Sequence, residues 1–270
     1  MRHEVLDIGV DYARAGLSGK TEPKLYTYIH EASSEIPVSL RPGVIICPGG
    51  AYLFTSDREA EPVASCFFAM GFQCFVLRYT VKGAIPFPAP QLELAEAVAT
   101  VRRHADEWHV DTGKIAVCGF SAGGHLAASL GVFWNRDFIQ EPLGLTTECR
   151  PDALILGYPV ITSGRFTHKL SMQNLLGSRY EECIDLVSLE KRVSSDTPPA
   201  FLWHTWDDAN VSVENTLLFA SALRSAGVPA EIHIFPHGPH GLSLATRESG
   251  LVQEECKSWP YWAARWLRNI

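Results

Sequence analysis

No run of 18 consecutive apolar residues occurs in the 270 positions, so no segment is fit to span a bilayer as a helix. The start, Met1-Arg2-His3-Glu4-Val5-Leu6-Asp7, puts two acids and an arginine where a secretory segment needs an apolar core. A cytoplasmic protein that keeps off the membrane is expected. Basic clusters are missing too: 23 Lys and Arg against 30 Asp and Glu give a formal charge of -7, and nucleic acid is not expected as a partner. The seven cysteines, Cys47, Cys66, Cys74, Cys118, Cys149, Cys183 and Cys256, contain no C-x-x-C pair, and several lie in apolar runs such as VIIC and FQCFVL. They read as buried free thiols, not as a disulfide framework or a zinc site. No linker rich in Gly, Ser or charge divides the chain, so residues 1–270 read as one domain.

What is present is ordinary globular composition, 46% hydrophobic and 20% charged, arranged as short apolar runs alternating with longer amphipathic stretches. That alternation predicts an α/β fold with a mostly parallel, doubly wound sheet flanked by helices. The expected strands are 25–30, 44–47, 74–79, 115–118, 153–158, 200–204 and 231–235. From Val44 onward they lack clean alternation, as strands covered on both faces should; the first reads as an edge strand. Helices are expected over 59–70, 90–108, 122–133 and 213–226, with a last one starting near Pro260. Trp259, Trp262 and Trp266 recur at helical spacing there and read as core packing, not a sugar-binding ladder. The stretch 160–198 breaks the alternation. It is too long for a structureless loop in a compact domain and reads as one or two short helices capping one end of the sheet.

Chemistry concentrates in Gly119-Phe120-Ser121-Ala122-Gly123, a G-x-S-x-G pattern lying between a strand and a helix. A turn tight enough to project a serine hydroxyl from that junction strains the backbone, and glycines on both sides remove the Cβ atoms that would clash. The new helix brings its free N–H groups and positive dipole end to Ser121, so the Ala122 N–H can serve an oxyanion. A phosphate cradle is the competing reading, and no lysine follows the glycines to support it. After an earlier strand, Pro48-Gly49-Gly50-Ala51-Tyr52 supplies a second Gly-rich turn able to aim the Gly50 and Ala51 N–H groups at the same oxyanion. A serine needs a base, and the base an orienting acid. Two later strands end in Asp207-Asp208 and in His237-Gly238-Pro239-His240-Gly241, both on the carboxyl edge where α/β folds assemble their sites.

Together these segments, with His204-Thr205-Trp206-Asp207-Asp208, resemble the α/β-hydrolase superfamily, and within it the small acetylesterases of the acetyl-xylan and feruloyl-esterase-like group. The resemblance runs from about Leu25 to Leu267. It implies Ser121 as nucleophile, His240 as general base and then acid, Asp208 as the acid in preference to its neighbour Asp207, and Gly50, Ala51 and Ala122 as oxyanion donors. Two departures stand out: the superfamily's His-Gly-Gly-Gly is here Pro48-Gly49-Gly50-Ala51, and its valine-proline after the acid is Val211-Ser212. His237 then reads as a brace for its loop, and His125, His204 and His233 as structural.

The expected activity is hydrolysis of short-chain acyl esters, acetyl foremost, of sugars or oligosaccharides through an acyl-enzyme, with no metal or organic cofactor. Tyr52 beside the oxyanion turn and Trp206 beside the acid are candidates to narrow the acyl pocket, or else core residues. The partner is a small ester, for instance an acetylated sugar; assembly as a homo-oligomer stays open. Two alternatives remain, an amide-cleaving relative such as an arylformamidase or small serine peptidase, and a ligand-binding protein without catalysis.

Overall fold

Eight stretches rich in β-branched and apolar residues form a single sheet: β1 Val5–Asp7, β2 Lys24–Tyr28, β3 Arg41–Cys47, β4 Gln73–Arg78, β5 Val110–Phe120, β6 Ala153–Gly157, β7 Ala200–Thr205 and β8 Ala230–Phe235. Their spatial order is β1-β2-β4-β3-β5-β6-β7-β8. Strands β3 to β8 run parallel, while β2 pairs antiparallel with both β1 and β4. The computed structural model describes all 270 residues. Its helices are α1 Glu61–Ala69, α2 Ala89–Arg103, α3 Ala105–Trp108, α4 Ser121–Phe133, α5 Asp137–Leu143, α6 Lys169–Leu176, α7 Tyr180–Cys183, α8 Glu214–Ser225 and α9 Trp259–Asn269. None is long and apolar enough to cross a membrane.

Because successive strand residues point to opposite faces, the apolar runs feed two cores at once. Ile45, Val117, Leu154 and Leu202 pack on one face with Leu92 of α2, Leu126 of α4 and Phe219 of α8. Val44, Cys118, Ile155 and Trp203 pack on the other with Phe67 of α1 and Trp259 of α9. This two-sided burial is the reason the central strands show no alternation in sequence. Trp259 stacks on Trp203 with ring centroids 5.1 Å apart, and Trp262 and Trp266 pack against the same core, so these tryptophans line no groove. All seven cysteines are free, and all but the half-buried Cys66 are buried.

The expected edge strand is not the edge. β1 lies outside β2, and its three residues leave too short a pattern to read in advance. The expected helix 90–108 is two helices, broken at His104. α5 escaped the sequence reading because it is seven residues long and contains Pro142. Segment 160–198 folds into α6, α7 and the 3-10 turns Gly177–Arg179 and Leu189–Lys191.

Strand order reverses at β3, whose neighbours β4 and β5 lie on opposite sides, so the crevice at its carboxyl end is the natural ligand site of this topology. Near that edge, Glu93 of α2 accepts hydrogen bonds from the Thr80 N–H at 2.7 Å and the Tyr12 hydroxyl at 2.6 Å, tying the N-terminal arm to the end of β4. Burial nonetheless pushes this carboxyl up from its ordinary 4.5 to about 7. With the folded-state value raised, its contribution to stability is full below pH 4.5 and is lost as pH rises through about 7. Thermal unfolding should therefore show the wild type losing stability relative to Glu93→Gln across that window; a constant difference would contradict the assignment.

Candidate active site

β5 runs into α4 with no loop between them. Phe120 is extended, with φ -122° and ψ 137°, and Ser121 stands at φ +52°, a left-handed conformation costing a non-glycine residue about 1–3 kcal/mol. Close approach enforces the turn: a Cβ on Gly123 would lie 2.0 Å from the carbonyl oxygen of Cys47, at the end of β3. α4 thus starts against the neighbouring strand, and its first residue projects over the carboxyl edge of the sheet.

Parallel pairing brings the other strand ends level with it, Cys47 opposite Gly119 and Thr205 opposite Phe235. The loops after β7 and β8 meet there. His240 Nδ1 lies 2.7 Å from Asp208 Oδ2, and Nε2 lies 2.8 Å from Ser121 Oγ. A carboxylate only accepts, so Nδ1 carries the proton and Nε2 is left to accept from the serine hydroxyl. Asp208 is buried, and its other oxygen accepts from the N–H groups of Asn210 at 2.9 Å and Val211 at 3.0 Å. Burial on its own would raise its pKa, but the His204 imidazole 3.4 Å away and hydrogen bonds from His240 and the Val211 N–H outweigh it and hold the carboxyl well below its ordinary range. Asp207 points elsewhere: it accepts from His237 at 3.0 Å and from the Gly238 N–H at 2.8 Å, and both side chains are at least half exposed.

Across from this series lies the turn after β3. Gly50 stands at φ +126°, where a Cβ would lie 2.2 Å from the Phe54 carbonyl oxygen, and Ala51 follows at φ +55°. Its outer side is bound: the Tyr79 hydroxyl donates to the Pro48 carbonyl, and Asn174 Nδ2 of α6 donates to that of Ala51 at 2.9 Å. The Gly50 and Ala51 N–H groups donate to nothing within the protein, and both residues line one cleft of about 400 Å³ with Ser121 and His240. The Ala122 N–H, in the first turn of α4, is likewise without a helical acceptor. Phe54 and Leu170 supply apolar lining to the cleft, and Arg58, His168 and Asn210 polar lining. No group of three or more His, Cys, Asp or Glu side chains is arranged to hold a metal ion.

Two expected pocket residues lie elsewhere. Tyr52 is 1% exposed and turns down into the core, where its hydroxyl meets His125 Nδ1 at 2.9 Å. Left-handed backbone at Ala51 and Tyr52 turns the Tyr52 side chain away from the cleft, so proximity in sequence does not become proximity in space. Trp206 is 63% exposed and contributes nothing to the cleft, because the chain turns outward after β7. His125 braces the elbow through Tyr52 and the Val187 carbonyl, and His204 braces the acid loop through Thr216 and the Val211 carbonyl. Glu59 and His168 border the cleft, and Tyr158 and Asn174 bond to Glu59 and to the Ala51 carbonyl; each comes from a segment with no motif of its own, and only the fold brings them together.

Residues 32–223 match the BD-FAE family model. The chain belongs to the BD-FAE family, esterase-like α/β hydrolases. Its fold superposes on an acetyl ester-xyloside bifunctional hydrolase from Caldicellulosiruptor lactoaceticus with a TM-score of 0.86 and 37% identity, covering 99% of this chain and 96% of that one. It is 38% identical over 230 residues to endo-1,4-beta-xylanase B of Butyrivibrio fibrisolvens, covering 84% of this chain and 35% of the relative. It is 31% identical over 211 residues to an acetylxylan esterase of Xylanibacter ruminicola, covering 75% of this chain and 41% of that relative. The chain therefore spans less than half the length of these two curated relatives. Relatives that share its family and fold are named as ester hydrolases.

The two aspartates make a discriminating pair. Asn at 208 can keep the Asn210 and Val211 hydrogen bonds with its oxygen while its NH2 faces His240 Nδ1, which turns the imidazole to the wrong tautomer. Asp208→Asn is expected to lower kcat for p-nitrophenyl acetate by about 10³–10⁴, and Asp207→Asn by less than about threefold, since it faces solvent. The reverse ranking would move the acid to Asp207.

Proposed function

We propose that the protein hydrolyses short-chain acyl esters, acetyl foremost, carried on sugar or oligosaccharide hydroxyls, with Ser121 as nucleophile, His240 as general base and then acid, and Asp208 as its orienting acid. The observation that carries this reading is the unbroken series from the buried Asp208 through His240 to Ser121, with hydrogen bonds of 2.7 and 2.8 Å, facing the two unpaired N–H groups of Gly50 and Ala51.

In the acylation half, Ser121 Oγ attacks the ester carbonyl as its proton passes to His240 Nε2. The negative charge that develops on the carbonyl oxygen is met by the N–H groups of Gly50, Ala51 and Ala122, fixed before the reaction by the turn and the helix start. The imidazolium, stabilised by the ionised Asp208, returns its proton to the departing alcohol oxygen, leaving an acyl-serine. Water then follows the same path in reverse, giving up a proton to His240 as it attacks, and the acid leaves as Ser121 regains its own. Removing one oxyanion donor of this kind typically costs about 3–4 kcal/mol.

The preference for acetyl and for sugar alcohols draws support from the relatives named for acetylxylan and for acetyl ester and xyloside substrates. The cleft is consistent with it, since a polyhydroxylated alcohol finds partners in Arg58, His168 and Asn210 while Phe54 and Leu170 offer an apolar wall. Tyr52 and Trp206 lend no support to a narrow acyl site.

The test is a p-nitrophenyl ester series from acetate to octanoate, run beside acetylated xylo-oligosaccharides and an N-formyl arylamine. The reading predicts highest kcat/KM on acetate, release of acetate from the oligosaccharides, and loss of at least about 10³ in kcat in Ser121→Ala. Faster turnover of octanoate would overturn the acyl preference, and faster turnover of the formamide would move the protein to amide cleavage.

A further inference from the structure

Glu59, in the turn before α1, is 3% exposed and yet borders the cleft. Oε2 accepts from the Gly49 N–H at 2.7 Å, and Oε1 accepts from the Tyr158 hydroxyl at 2.7 Å. The Tyr158 oxygen in turn accepts from the Ser243 N–H at 2.8 Å, in the loop that carries His240. The Tyr158 ring stands edge-on to the His240 ring with centroids 5.0 Å apart. Tyr158 and Ser243 both hold left-handed backbone, φ +36° and +51°, so these bonds fix conformations that neither residue favours alone. One side chain thus joins the oxyanion turn, the end of β6 and the histidine loop.

Both groups facing this carboxylate are donors, a job an amide cannot duplicate because only one of its two terminal atoms accepts. No cation is hydrogen-bonded to it. The charged and titratable groups around His240 are Asp208 and His204 from the end of β7, Arg58 and Glu59 from the turn before α1, His168 beside α6, and Tyr158 from the end of β6.

We propose that Glu59 is a positioning residue that works as an anion: it clamps the oxyanion turn to the histidine loop through Gly49 and Tyr158, and its charge stabilises the imidazolium that His240 becomes in each half of the reaction. The inference rests on the hydrolytic reading of Ser121, His240 and Asp208. Burial pushes the Glu59 carboxyl up, while the Tyr158 and Gly49 bonds and the neighbouring His240 and Arg58 charges oppose that rise. Glu59 and His240 border the same cleft and meet Tyr158 at its hydroxyl and at its ring, so a charge on one acts on the other.

The experiment uses the full chain with Glu59→Gln, Glu59→Asp and Tyr158→Phe, each measured in two ways. Steady-state hydrolysis of p-nitrophenyl acetate gives kcat and KM; NMR titration of the His240 ring in a Ser121→Ala background follows its protonation without turnover. Glu59→Gln should lower kcat at least about tenfold with KM within about threefold, because the interactions lost are made in the transition state. It should also move the His240 titration to lower pH by about half a unit or more, as removal of one nearby anion requires. Glu59→Asp keeps the charge but cannot reach both donors, so the titration should stay and kcat should fall. Tyr158→Phe should behave likewise. An unmoved His240 titration in Glu59→Gln, or for a variant that does not fold, a Glu59→Asp enzyme with unchanged kcat, would overturn the proposal. Full hydrolytic activity in Ser121→Ala alone would instead overturn the reading beneath it.

Discussion

The close approach of α4 to the end of β3 is the constraint on which the site depends. With Gly123 pressed against the Cys47 carbonyl, at a separation that no Cβ could share, the chain can turn from strand to helix only by putting Ser121 into left-handed backbone at φ +52°. The same contact sets the first turn of the helix, with the Ala122 N–H, next to the Gly50–Ala51 turn that leaves β3. Ser121 and the N–H groups proposed as oxyanion donors are therefore neighbours by packing, and long-range hydrogen bonds, donated by Asn174 and Tyr79 and accepted by Glu59, fix the turn once it is there. The strain is local, and the two fully buried cores on either side of the sheet hold it in place.

Around that contact the structure sets two buried carboxylates in opposite electrostatic circumstances. Asp208 receives two backbone N–H groups and the His240 imidazole, with His204 close by, enough to keep it ionised far below the ordinary range. Glu59 receives one backbone N–H and one phenol, so burial pushes its carboxyl up against two donors that favour the ionised form. The balance of donors against desolvation thus separates two acids bordering the same histidine, one orienting the ring and the other, on our proposal, joining the two loops that must meet.

Much of this was legible in the sequence because it depends on local backbone demands. A turn that projects a serine from a strand into a helix needs small residues at fixed spacing, so Gly119, Ser121 and Gly123 declared themselves; the strands carrying Asp208 and His240 declared themselves as apolar runs ending in polar loops. What escaped depends on direction and on distance along the chain. Tyr52 and Trp206 stand next to site residues yet face the core and the solvent, because one or two left-handed or outward steps redirect a side chain without changing its neighbours in sequence. Glu59 and Tyr158 are 99 residues apart, and nothing near either one signals the other. Similarly β1, three residues at the rim of the sheet, and α5, seven residues with a proline, are too short to carry a period.

On the proposed reading, Ser121 Oγ, His240 Nε2 and the N–H groups of Gly50, Ala51 and Ala122 converge on a single tetrahedral centre. A crystal structure of the protein inactivated by an alkyl fluorophosphonate measures this directly. Phosphorus should be bonded to Ser121 Oγ, its phosphoryl oxygen about 2.7–3.1 Å from those backbone nitrogens, and His240 Nε2 within hydrogen-bond distance of a second oxygen. A phosphoryl oxygen turned away from the Gly50–Ala51 turn, or an adduct on another residue, would contradict it.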